Sequence, residues 1–323
     1  WLTSYVNRLL ALSFLRASRL CRLKMSNPSD FFSSKRSGFG MMPDMEEEQF
    51  LLWQNLLEER TGMCLAPQRK SFLQTSLGIR MRELGCDDYE DYFRKVTTGS
   101  GGAIEWSVLS DRLTVQETRF FRDPDAMMFV KNHLLEMVKT APLDRSFDIW
   151  SMGCSSGEEV YSLAMLADEC LSPLGFKYSV TGTDLSTVVL RKARQGKYPI
   201  RKLETLPVSY RQRYCIAAEN NEYQIISGLR DRTCFSQVNA LNLDAFPVSG
   251  LSIIYCQNLL IYFRRWRRRE ILNALADRLV EGGILVTGLG EMVDWQHPNL
   301  VQVDSNKLSI YVRRDNNNQM GAR

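Results

Sequence analysis

Residues 150–165 read WSMGCSSGEEVYSLAM. The β-like run FDIWSMGC (147–154) closes on Gly153, small residues follow as far as Gly157, and an apolar helical rhythm starts behind Glu158 and Glu159. Strand, glycine turn and helix in that order make the repeating unit of a parallel α/β sheet, whose ligands sit at the carboxyl ends of its strands. Glycine lets backbone pass close to a ligand, and the bare amides of a helix start favour negative charge. A P-loop, however, requires a lysine after its second glycine, and a dinucleotide fingerprint requires G-x-G-x-x-G where this turn gives G-x-x-x-G. Glu158 and Glu159 would also repel phosphate. Paired carboxylates here suit a positive ligand centre, an ammonium or a sulfonium, or they complement the helix dipole; the turn alone leaves both open.

The next strand narrows the choice. VTGTDL (180–185) puts Asp184 at a strand's carboxyl end, where an acid hydrogen-bonds ribose hydroxyls. After a glycine turn, that points to an adenosyl ligand. S-adenosylmethionine (SAM) has a ribose, a cationic amino-acid tail and no phosphate, so the two features together read as a methyltransferase.

Around this centre the chain has two textures. From Asp44 to Arg122 the pattern is helical: EEEQFLLWQNLLEERTG (46–62), PQRKSFLQTSLGIRMRELG (67–85) and DYEDYFRKV (88–96) predict three helices in a small all-α domain with its linker. Residues 123–316 read as the α/β methyltransferase domain, with strands at FDIWSMGC, YSVTGTDL, TCFSQVNAL, LSIIYCQN and GGILVTGLGE, and a closing antiparallel pair at LVQVD and LSIYVRR. The segment 198–232 is too long for a simple crossover. It predicts an inserted subdomain, about 198–236, with a helix and a small antiparallel hairpin.

At 323 residues, with 44% hydrophobic and 24% charged residues, the chain can bury a full core. Five of its cations lie in residues 1–24, which hold no acid, so the net charge of +4 leaves the remainder nearly neutral and argues against wholesale nucleic-acid binding. That arm's uncharged run, Leu9 to Leu15, is far short of the roughly 20 residues of a membrane span. Met25 is taken as the natural start, residues 1–43 as basic arm and leader, and 317–323 as a tail. Eight cysteines, none in a C-x-x-C pair, and two isolated histidines, His133 and His297, give no zinc spacing and no nucleophile triad. The expectation is a cytoplasmic protein with reduced thiols and no metal.

Four stretches carry a resemblance: TVQETRFFRD (114–123), GCSSGEEVYSLAM (153–165), GTDLSTVVLRKARQGKYP (182–199) and CQNLLIYF (256–263). Over residues 44–314 the chain resembles the chemoreceptor glutamate methyltransferases, the bacterial chemotaxis protein methyltransferase family. The resemblance implies a helical domain, a Rossmann-like methyltransferase domain with an inserted β subdomain, SAM as cofactor, and glutamyl methyl esters formed on the cytoplasmic helical bundle of membrane chemoreceptors. It implies that Gln116, Thr118 and Arg122 line the cofactor pocket beside the turn glycines Gly153 and Gly157. Glu159 would hold the cofactor's amino group and Asp184 its ribose, while Asn242, Leu243, Gln257 and Asn258 would border the adenine and the pocket floor. Arg122 and Tyr262 would lie nearest the transferred methyl and the incoming carboxylate. Gln257 stands where the family often has arginine, Gln116 where it often has asparagine, and Cys154 takes a turn position usually given to another small residue.

Arg69, Arg80 and Arg82 form an expected basic docking face for an acidic partner on the second helix. In some relatives the β subdomain also adds a receptor tail peptide as a strand, and EYQIISGLRDRTCF (222–235) is the stretch in question here. A monomer is expected, and the character of the leader inclines the reading towards a type IV pilus chemosensory system. Two rivals remain. One is a nucleic-acid methyltransferase, for which YFRRWRRRE (262–270) is the basic and aromatic run, read here as a solvated edge or rim. The other is a non-catalytic adaptor.

Overall fold

The computed structural model describes residues 44–114 and 116–314. The basic arm, Met25, the leader and the tail therefore lie outside the described residues.

The described residues open with four α-helices: α1 (Glu47–Thr61), α2 (Lys70–Leu84), α3 (Tyr89–Thr97) and α4 (Gly99–Leu113). Helix α1 opens on a reciprocal cap between Glu46 and Gln49 and stops at Gly62, whose φ of +76° admits the left-handed residue that ends a helix. Helix α4 is absent from the sequence reading because GSGG looks like a loop. It forms because Gly102 lets the helix press against the end of α3, where a Cβ would stand 2.9 Å from the Val96 carbonyl oxygen, and because it buries Leu109 and Leu113.

Helix α2 corrects the expected basic face. Arg80 shares its side of the helix with Leu73 and Ser76, and that side is the packed one. Its guanidinium grips Glu105 of α4 through Nε and Nη2 at 2.7 and 2.6 Å, and also meets Glu83 at 2.8 Å. Tyr92 of α3 donates to the same Glu105 at 2.7 Å. Arg80 is thus a half-buried strut of the domain, its charge engaged by Glu105 and Glu83. Arg82 remains exposed, bonded to the Gly78 carbonyl of its own helix, and Arg69 lies over the Phe72 ring.

After α5 (Pro124–Met137) the chain alternates strand and helix: β1 (Ser146–Met152), α6 (Glu158–Leu171), β2 (Lys177–Asp184) and α7 (Thr187–Gln195). The insertion follows, with β3 (Lys197–Pro199), α8 (Val208–Tyr214), β4 (Cys215–Ala217), β5 (Glu222–Ile225) and α9 (Ser227–Arg230). Then come β6 (Thr233–Gln237), β7 (Leu251–Cys256), α10 (Arg265–Ala276), β8 (Leu279–Thr287), β9 (Leu300–Gln302) and β10 (Ser309–Arg313). The main sheet has the order β6-β2-β1-β7-β8-β10-β9. Its first five strands are parallel and β10 runs antiparallel to both neighbours, so the Rossmann-like fold and the closing antiparallel pair are as expected.

Alternation along the strands divides the core. On β1, Ile149 faces the layer under α5 and α6, whereas Trp150 faces the layer under α10. The inserted subdomain is a three-stranded antiparallel sheet in the order β3-β5-β4, one strand more than a hairpin. Strand β5 is central in this small sheet, so Glu222–Ile225 of the stretch in question presents no free edge there; the small sheet's edges belong to β3 and β4. No helix among the described residues is long and apolar enough to cross a membrane.

Candidate active site

Strand order reverses between β1 and β7, which opens a crevice at their carboxyl ends. The glycine turn enters it with Gly153 at φ +79° and Gly157, the residue before α6, at +92°, and only glycine tolerates such angles freely. A side chain at Gly157 would also meet Ala193 at 2.8 Å. Cys154 is filler: its thiol is buried, pushed well above its ordinary range by that burial, and packed where a Cβ on Gly182 would strike its sulfur.

The two glutamates behind the turn have separate tasks. Glu158 is fully buried and accepts from Lys202 Nζ at 2.8 Å and Ser156 Oγ at 2.7 Å. Glu159 lines the crevice and accepts from Ser151 Oγ at 2.7 Å. Burial pushes the Glu159 carboxyl up to about 8, against the pull of Ser151 and the Arg122 charge and with a further push from Glu291. A half-buried acid short of a cation is the complement of an ammonium ligand.

Asp184, also in the wall, accepts from the Ser155 amide through Oδ2 and the Ser186 amide through Oδ1, each at 2.9 Å. Burial raises its pKa, opposed by these amides. The remaining lone pairs of the same oxygens are free to take ribose hydroxyls. With Glu159 for an ammonium, Asp184 for a diol, and no lysine among the described residues lining the crevice, the donor set fits SAM.

Gln116, Thr118 and Arg122 stand in the wall on the strap between α4 and α5, and Gln257, Asn258 and Tyr262 face them from the loop after β7. Arg122 folds back to the Glu117 carbonyl at 3.0 Å. Gln257 is tied internally, receiving the Tyr255 hydroxyl and donating to Asp123, both at 3.0 Å. Burial raises the Tyr262 pKa, against the opposing charges of Arg69 and Arg122.

Asn242 and Leu243 are misplaced in the sequence reading. Leu243 is buried, Asn242 precedes the short turn it begins, and neither lines the crevice. Strand β6 ends at Gln237, so Asn239 and Ala240 stand at its carboxyl edge and line the wall. VNALNL offers two asparagines three apart, and the strand end chooses the first. Thr61 and Met63, from the end of α1, also line the crevice. Nothing in the sequence announces them; they arrive because the Cys64 amide bonds the Tyr262 carbonyl at 2.7 Å and Met63 bridges to Phe263.

The arginine run is largely paired with neighbouring groups of the protein. Arg264 forks onto Glu58, Arg265 pairs with Asp294, and Arg267 pairs with Glu270 while stacking on Trp266. Arg268 braces the Tyr262 loop, donating to the carbonyls of Phe263 at 2.8 Å, Glu291 at 2.7 Å and Ile261 at 3.4 Å. With Arg264, Arg265 and Arg269 exposed beside these partners, the run forms a solvated edge.

Two family models match the chain: "CheR methyltransferase, all-alpha domain" over residues 48–114, and "CheR methyltransferase, SAM binding domain" over 116–309. Among curated proteins, the chain is 30% identical to "Chemotaxis protein methyltransferase 1" of Pseudomonas aeruginosa, over 76% of this chain and 90% of that one. It is 29% identical to "Chemotaxis protein methyltransferase" of Borreliella burgdorferi, over 72% of this chain and 83% of that one. The protein of the same name from Salmonella typhimurium is 28% identical, over 73% of this chain and 81% of its own length.

Proposed function

Because the chain belongs to the CheR methyltransferase family and is a SAM-dependent methyltransferase, we propose that its acceptor is a glutamate side-chain carboxylate on the cytoplasmic helical bundle of a membrane chemoreceptor. One observation carries this reading: the described residues lining the crevice include no histidine, lysine or cysteine, and two of the acids there, Glu159 and Asp184, are given to the cofactor. An amine or hydroxyl acceptor would arrive protonated and call for a base. A glutamate, with an unperturbed pKa of about 4.3, arrives ionised and needs none. Transfer to it forms an ester, the reversible mark of chemosensory adaptation, and places the enzyme in the cytoplasm.

When bound, SAM supplies an electrophilic methyl on a sulfonium. The protein's work is positional. Glu159 and Asp184 hold the amino group and the ribose of the cofactor, the strap and the Tyr262 loop exclude water from the acceptor, and Arg122 orients the incoming carboxylate. Such alignment supplies on the order of 7–11 kcal/mol. Opposite charges cancel as the ester forms, so a site gripping them more tightly before transfer than during it would be slow. Arg122 therefore acts best as an aiming cation at the rim.

Arg122→Ala is expected to lower turnover about 100-fold, the loss of one charged contact near the reacting atoms, while the SAM dissociation constant changes by less than about threefold. Single-turnover methylation with calorimetric binding separates the two, and wild-type turnover would remove Arg122 from this role. Asp184→Ala is expected to weaken SAM binding by about 30-fold or more, because two amides and two hydroxyls lose a common acceptor. An unchanged dissociation constant would dismiss the ribose contact.

Docking of the receptor is assigned to Arg82 and Arg69, with Arg80 withdrawn. The proposal as a whole is tested by offering methyl-labelled SAM with receptor-rich membranes and with RNA. Label on membrane protein that mild alkali releases as methanol is the expected result; alkali-stable label on RNA would replace the acceptor class.

A further inference from the structure

The inserted subdomain does more than project from the sheet: three of its side chains reach back to the strap and the glycine turn. Tyr198 donates to the Ser156 carbonyl at 2.7 Å and packs edge-on against Phe120. Tyr210 lies against Phe121. Lys202, in the short turn after β3, sends its ammonium to the Thr118 carbonyl at 2.9 Å and to Glu158 Oε1 at 2.8 Å. One cation therefore ties three pieces of chain: the insertion, the start of α6, and the strap.

The strap is fastened a second time close by. The Phe121 amide donates to Ser162 Oγ at 3.0 Å, and Ser162 in turn donates to the Glu158 carbonyl at 2.7 Å. Phe121 sits at φ +49°, an angle a bulky residue adopts only when its surroundings impose it. Arg122 is the next residue. Its placement thus depends on a bend held at Phe121 by Ser162 and at Thr118 by Lys202, both acting from Glu158.

We propose that Lys202 is a positioning residue for methyl transfer, holding the strap so that Arg122 faces the acceptor. The proposal rests on the role given to Arg122 above. Lys202 does not itself line the crevice and meets its wall only at the Thr118 carbonyl, so its loss should alter transfer more than cofactor binding.

The test compares two variants, because Lys202→Met alone strands a fully buried carboxylate and would lower stability. Glu158→Gln removes that charge and leaves Lys202 on Thr118. Lys202→Met/Glu158→Gln removes the Thr118 bond as well. Turnover on receptor-rich membranes is expected to be at least fivefold lower in the double variant than in Glu158→Gln, with SAM dissociation constants within about twofold. Hydrogen exchange at the Phe121 and Arg122 amides is expected to be at least tenfold faster. Equal turnover in the two variants, or equal exchange, would overturn the proposal. Should the wild type fail to label membrane protein, the acceptor assignment falls while the exchange comparison still tests the strut.

Discussion

SAM is expected to bind more tightly as the pH rises from 6 towards 8, by close to tenfold per unit, and to weaken again above 8. The rising limb belongs to Glu159, whose carboxyl is pushed up to about 8 from its ordinary 4.5 by burial. Below 8 the free protein carries this group protonated, and holding an ammonium requires it ionised, so binding expels a proton and gains as protons become scarce. The falling limb belongs to the ligand's own α-amino group, which loses its charge near 7.7–8.0. Glu159→Gln is expected to abolish the rising limb, keep the falling one and cost about 2–4 kcal/mol of affinity at pH 8, roughly 30- to 1000-fold. Titration calorimetry in buffers of different ionisation enthalpy reads both affinity and proton release. A flat wild-type profile between pH 6 and 7.5 would refute the assignment. The same shift bears on the ligand-free fold: a carboxyl with a raised folded pKa stabilises fully below its unfolded value, and that contribution is lost as pH climbs through 8.

Arg80→Ala is expected to lower unfolding stability by about 3–5 kcal/mol, the cost of leaving a buried carboxylate without its cation. Glu105 would be that carboxylate. Burial pushes its pKa up, yet the hydrogen bonds from Arg80 and Tyr92 outweigh burial and hold it below its ordinary value of 4.5. Arg80→Met/Glu105→Gln should recover much of the loss, since similar volume without charge removes the desolvation cost. Chemical denaturation of the three proteins checks this. A single variant as stable as the wild type would return Arg80 to the surface role that its sequence suggested.

Arg80 also shows where sequence reading reaches its limit. The angular positions of 69, 73, 76 and 80 were legible as one side of a helix, but which side faces the core depends on the partner. The partner, α4, begins with glycines that propensity assigns to a loop. Glu105 was therefore invisible as the waiting acid. By contrast, the glycine turn, Glu159 and Asp184 were readable because local backbone geometry and strand polarity fix them with little help from distant packing. Asn239 lay between these cases: its strand was found, but the resemblance put the adenine edge at Asn242. Thr61 and Met63 come from a domain whose docking onto the sheet no periodicity describes.

That docking has an evolutionary consequence. Since the end of α1 completes the crevice and pins the backbone of the Tyr262 loop, the helical domain cannot be exchanged for an unrelated targeting module as a loosely tethered adaptor could. A recombinant that altered whom the enzyme visits by swapping this domain would also reshape its cofactor wall. New partners are more readily acquired by substitutions on the outer surface of α2, or at the edges of the inserted sheet, where residues can change without disturbing the chemistry beneath.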